Sequence, residues 1–154
     1  MRLWARVRTL AGGPTPRLLG DFKIAYLEEL RLAHQLRMHA ERVPYPNISA
    51  VLLGLARGQD EHAALVRKRV ADLGGTLDAG QVGAPHEGRN YWTRLTHDLA
   101  DLRAQGLRYL ELAQHWDTED GDSATLCTSL AHEESAACRV ISDLITRSDP
   151  HAAD

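Results

Sequence analysis

The stretch Ala56-Arg-Gly-Gln-Asp-Glu-His-Ala63 decides how this chain is read. It lies inside a long apolar-periodic segment whose stripe runs Ile48, Leu52, Leu55, Gln59, His62, Val66, Val70 and Leu73. Steps of three and four place all of these on one helix face. Gln59 and His62 are the two polar interruptions of that face. They stand at i and i+3, one turn apart, pointing the same way. Helical bundles that hold metal carry a Glu-x-x-His pair in such a position. Here the first member is Gln, so the remaining helices must show whether a site is present.

Working outward, the spacing predicts a first helix over about residues 17–42. Its stripe is Phe22, Tyr26, Glu29, Ala33, Leu36, Ala40 and Val43. Glu29 falls in the centre of the stripe, with Glu28 one residue round as the alternative. Pro44-Tyr45-Pro46-Asn47 stops this helix, and Asn47 or Ser49 is expected to cap the next. The second helix, over about 48–73, ends at Gly74-Gly75 through a left-handed C-cap. Residues 75–89 are rich in Gly, Pro and Asp. Extended, that stretch spans ~50 Å, more than the ~39 Å of a 26-residue helix. The loop can therefore run the length of a bundle and leave the second and third helices parallel.

The third helix, over about 90–116, carries the stripe Trp92, Leu95, Leu99, Leu102, Gly106, Tyr109, Ala113 and Trp116. No carboxylate lies on that face; Asp98 and Asp101 lie beside it. Asp117 to Ser123 reads as a solvated turn, with Asp122 or Ser123 capping a fourth helix over about 124–147. That helix has the stripe Cys127, Leu130, Glu134, Ala137, Ile141 and Leu144. The expected fold is all-α, an antiparallel four-helix bundle of two helical hairpins joined by a long crossover. The bundle occupies 17–147. An Arg/Trp/Leu segment at 1–16, ending in a Gly/Pro break, precedes it, and a loose tail at 148–154 follows.

Composition narrows the function classes. A chain of 154 residues suits one domain. A net charge of −3 argues against nucleic-acid binding. No apolar run is long enough for a membrane span, and the N-terminus lacks the apolar stretch of a signal peptide. A cytoplasmic protein is the expectation. Cys127 and Cys138, 11 residues apart in one helix, cannot pair with each other and read as small buried hydrophobes. Of His34, His39, His97, His115, His132 and His151, most are expected at the surface. Tyr26, Tyr109, Trp92 and Trp116 read as core packing. No Ser-His-Asp order, phosphate loop or paired-Cys motif appears.

The layout resembles the ferritin-like superfamily, which includes bacterioferritin and rubrerythrin. Leu52 to Gly75 is similar to the second helix of those proteins, with Gln-Asp-Glu-His-Ala where they carry Glu-x-x-His-Ala. Leu126 to Leu144 is similar to their fourth helix, with His132-Glu-Glu-Ser-Ala-Ala137 in the corresponding place. The resemblance covers about residues 17–147. It implies a di-iron centre built from a Glu on helices 1 and 3 and a Glu-x-x-His on helices 2 and 4. Carried over, helix 1 keeps Glu29, and helix 2 has Gln59 for Glu but keeps His62. Helix 3 shows Leu102 where Glu is expected, from an internal duplication that sets Glu29 over Leu102. Helix 4 keeps Glu134 but has Ala137 for His. Half of the ligand set is missing or neutralised. Two divalent ions bring four positive charges, which two carboxylates cannot balance, so ferroxidase or peroxidase chemistry is expected to be absent.

Two functions follow from this degenerate di-iron site. One is a non-catalytic binding or assembly module, a homodimer or larger homo-oligomer with no catalytic residue to assign. In it His62 sits protonated or hydrogen-bonded between Glu29 and Glu134, and Gln59 completes a buried network. The alternative is a metal-binding oxidoreductase or iron-storage-type protein with a mononuclear site. Glu29, His62 and Glu134 would ligate one Fe, Mn or Zn ion, with Gln59 as a weak carbonyl ligand. A stripe shifted by one residue would instead turn these groups to solvent or to a subunit interface. Gly106 and Ala137 remove bulk at the same level and could open a ligand cavity.

Overall fold

The computed structural model describes residues 15–78, 80–151 and 154. The Arg/Trp/Leu segment lies almost wholly outside them. Four helices follow one another: α1 Thr15–Arg42, α2 Pro46–Asp72, α3 Tyr91–Trp116 and α4 Gly121–Thr146. No strand occurs among the described residues, and none of the described helices is long and apolar enough to cross a membrane. The helix ends follow local chemistry. Asn90 accepts from the Thr93 N–H at 2.9 Å and starts α3. Asp120 accepts from the Ser123 N–H at 3.1 Å and starts α4, ahead of the expected caps Asp122 and Ser123. α2 begins without a side-chain cap, because Pro46 enters in its first turn, where a missing N–H leaves nothing unsatisfied; neither Asn47 nor Ser49 is needed. Gly74, at φ +82°, takes the left-handed conformation that ends α2.

Side-chain pairs give the directions. Tyr26 bonds Arg67 and Arg37 bonds Asp60, so α1 and α2 are antiparallel. Glu29 meets Gln105 and Gln35 meets Asp98, so α1 and α3 are antiparallel too. α2 and α3 therefore run parallel, and the crossover connects opposite ends of the bundle. It does so along α1: Gly75 lies on Leu19, Gly80 on Leu27 and Gly83 on Arg31. The chain end returns to the start of α3, where Asn90 donates to the Pro150 carbonyl and Arg94 pairs with Asp154 at 2.6 Å.

A buried polar cluster holds the far end of the crossover. His39 Nδ1 lies 2.9 Å from both Asp98 oxygens, and its Nε2 donates to the His86 carbonyl at 2.8 Å. Gln35 donates to Asp98 and Asp101 and accepts from the His86 N–H. Arg31 completes the cluster with Glu28 and Asp101. His39 and Asp98 are 1% and 0% exposed, so His39 is not among the surface histidines, and the placement of Asp98 beside the core face is corrected. The reason is tertiary. α3 faces α1 as well as α4, and the crossover covers the polar groups along that seam.

The core falls into two apolar clusters. One gathers Phe22, Tyr26, Val66, Val70, Tyr109, Trp116 and Leu130. The other gathers Leu32, Leu36, Leu52, Leu95, Leu102 and Ile141. Each such side chain contributes about 1.5–3 kcal/mol by leaving water. Every helix passes from one cluster to the other, and at each passage it places a polar residue.

Candidate metal centre

The polar layer consists of Glu29 from α1, Gln59 and His62 from α2, Gln105 from α3 and Glu134 from α4, all at most 3% exposed. Four helices thus meet at one level between the two apolar clusters. His62 Nδ1 donates to Glu134 Oε1 at 3.0 Å and lies 3.8 Å from Glu29 Oε1. Its Nε2 lies 2.8 Å from Glu133 Oε2, a carboxylate at the surface. Glu29 Oε1 accepts from the Tyr109 hydroxyl at 2.5 Å and from Gln105 Nε2 at 3.1 Å. Glu134 Oε2 accepts from Gln59 Nε2 at 3.3 Å. Glu28, the alternative to Glu29, bonds Arg31 outside this layer.

Electrostatics follow from the burial. Burial lowers the His62 pKa, but hydrogen bonds and charge from Glu134 and Glu29 outweigh it and push it up to about 11. The ring is an imidazolium at neutral pH. Burial raises the Glu134 carboxyl above the usual range, and the Glu29 charge adds to this against the pull of His62. Burial, then the charge of Glu29, hold the Tyr109 phenol protonated well past its ordinary range, so it donates to Glu29 throughout.

The structure superposes on a dodecameric thioferritin, the bacterioferritin-related protein of Bacteroides fragilis, with a TM-score of 0.78 over 86% of each chain and 18% identity. The fold is the ferritin-like four-helix bundle. No protein-family model and no curated protein matches the sequence.

Within the ferritin-like bundle, Glu29, His62 and Glu134 come together as the sequence reading has them, with Gln59 beside them. Leu102 does not take the expected place on the third helix. It is fully buried in an apolar cluster, and Gln105, nearly one turn later, stands opposite Glu29. α3 therefore carries a neutral carboxamide there, as α2 does with Gln59. Glu133 is the other residue that the sequence does not single out. It adjoins Glu134 on α4, and the pair grips His62 from both sides.

The donor set fits one cation. One ligand atom from each of Glu29, His62 and Glu134 lies within 4.8 Å of the others. Three donors at ~2.1 Å around a tetrahedral ion lie ~3.4 Å apart, so the side chains must draw in by about an ångström or more to ligate together. Glu29 Oε2, Gln59 Oε1 and Gln105 Oε1 are buried and have no hydrogen-bond partner among the described residues. All three are acceptor-only oxygens, the atom type that a cation or an ordered water satisfies. Among the described residues the layer brings two carboxylates together, Glu29 and Glu134.

Proposed function

We propose that this protein is a ferritin-like binding module whose two-metal centre is reduced to a single cation site. Glu29, His62 and Glu134 hold one iron, manganese or zinc ion, and no substrate is turned over. The unsatisfied oxygens of Glu29, Gln59 and Gln105, gathered around the triad, carry this reading. Leaving one such atom bare costs about 1–3 kcal/mol, and this layer has three.

The protein groups divide the work. Glu29 and Glu134 balance a divalent charge. His62 offers Nδ1 to the interior, while Nε2 donates to Glu133 and fixes the ring, as carboxylates behind metal-bound histidines do. Tyr109 and Gln105 occupy Glu29 Oε1 and leave Oε2 for the ion. The ion supplies the positive charge that the His62 imidazolium supplies without it. Binding therefore releases the Nδ1 proton.

Calorimetric titration of chelator-stripped protein with Mn²⁺, Fe²⁺ or Zn²⁺, in two buffers of different ionisation enthalpy, tests this. One ion per chain should bind and about one proton should leave; Glu29→Gln and Glu134→Gln should each abolish binding. No binding near neutral pH would leave the layer as a hydrogen-bond cluster that sets helix register.

An assembly role has its own observation. Ile24, Leu53 and Leu65 are 58%, 41% and 43% exposed on the α1–α2 hairpin. Apolar surface of this kind supports a homodimer or larger homo-oligomer, and light scattering of Ile24→Glu against the parent chain checks it.

A further inference from the structure

On the opposite side of the molecule from the α1–α2 hairpin, α3 and α4 part to leave a groove of about 550 Å³. The volume is that of a small-molecule pocket. Its walls are apolar, with Leu102, Gly106, Leu107, Leu110 and Ala131 among them. Gly106 forms the floor. A Cβ there would stand 3.3 Å from the Glu134 Cβ, so any side chain at this position would raise the floor. Leu107 and Leu110 remain 60% and 46% exposed.

Two cations line the same groove. Arg103 and Arg139 make no ion pair among the described residues; the one hydrogen bond they make is from Arg139 to the Ser135 hydroxyl. Several other arginines of the described residues also lack a carboxylate partner, but these two stand together on the wall of one apolar groove. The sole acidic lining residue, Glu134, is engaged with His62 and Gln59. Cys138, half-buried, lines the same groove, and the charges of Arg103 and Arg139 act to lower its pKa. Burial nonetheless keeps that thiol raised and therefore neutral, so it does not take up their charge.

We propose that the α3–α4 groove binds a small amphipathic anion: an aliphatic chain, lying on Gly106, Leu107 and Leu110, that ends in a carboxylate held by Arg103 and Arg139. Guanidinium forks match a carboxylate in plane and charge. A second copy of the chain is a poorer occupant. A two-fold contact over the groove would bring a second Arg103 and Arg139 into it and no free groove acid to pair them. The Arg-rich residues before α1 carry the same sign of charge. This inference does not depend on the cation site and stands or falls separately from it.

The test uses the full chain with dodecanoate and with dodecanol, both below their aggregation limits. One dodecanoate should bind per chain, about tenfold or more tighter than dodecanol. The double substitution Arg103→Gln/Arg139→Gln should erase that difference and leave dodecanol binding unchanged. Ser135→Trp, at the exposed lip, should weaken both ligands. Because Cys127 is buried, Cys138 is the alkylation target, and saturating dodecanoate should slow its alkylation at least fivefold. Equal affinity for acid and alcohol, or an unprotected Cys138, overturns the proposal. So does a dimer in sedimentation that Leu107→Glu/Leu110→Glu dissociates, since a second copy would then fill the groove.

Discussion

Replacing His62 with Ala removes the one positive charge from a layer that holds two fully buried carboxylates. Glu134 then keeps only Gln59, and Glu29 keeps Tyr109 and Gln105. Removing one partner of a buried ion pair costs about 3–5 kcal/mol, chiefly as the uncompensated charge left behind. For a chain of this size each kcal/mol lowers the melting temperature by about 2–4 °C, so the loss should be on the order of 10 °C. Urea unfolding followed by helix ellipticity at pH 7, with chelator present, measures it. The pH dependence has a definite sign. The His62 pKa is raised on folding, from 6.5 to about 11, so its contribution is complete below about pH 6.5 and fades as pH rises towards 11. The variant behaves differently: one of its two carboxyls takes up a proton as pH falls. The gap between parent and variant should therefore narrow in acid. Adding Glu134→Gln to His62→Ala removes the stranded charge and should recover more than half of the loss. A cost under about 1 kcal/mol, or no recovery in the double variant, would refute the picture of an imidazolium clamped between two acids.

Three further outcomes are expected. Metal affinity should rise about tenfold per pH unit between pH 6 and 8, because one proton leaves His62 for each ion bound; titrations at three pH values give the slope. His39→Leu strands Asp98 in the core with Gln35 as its one remaining buried partner, so it should cost about 3 kcal/mol and speed proteolysis within residues 76–89. Gly88→Ala would put a Cβ 2.8 Å from the Arg94 backbone nitrogen, and the loop must shift to admit it. Urea midpoints should show a loss of about 1–3 kcal/mol.

Much of this architecture is legible in the chain because long helices repeat their signal. Glu29, Gln59, His62 and Glu134 each interrupt an otherwise apolar stripe, and such an interruption in a packed bundle is costly unless the polar groups meet. The crossover, too, is implied by length alone. Gln105 is missed for a geometric reason. Counting along an internal duplication sets Leu102 opposite Glu29, three residues short. Three residues turn a helix through about 300°, so the face is nearly right while the height is wrong by ~4.5 Å. His39, Asp98 and Glu133 are missed for another reason. Their partners lie on other elements, 59 residues apart for His39 and Asp98 and 71 for His62 and Glu133. No local period records such a meeting.

The crossover pinned along α1 has a consequence for how copies of this chain can meet. The polar layer takes Glu29 and His62 from the first hairpin and Glu134 from the second, so each half is unfinished without the other. Two chains with a slack connection could trade hairpins and build the same layer from halves of different molecules. Here the connecting segment is fastened to its own first helix from Leu19 to His39. Trading halves would require tearing that fastening in both molecules. The His39–His86 knot thus works as a lock on self-completion, favouring a polar layer built from a single polypeptide.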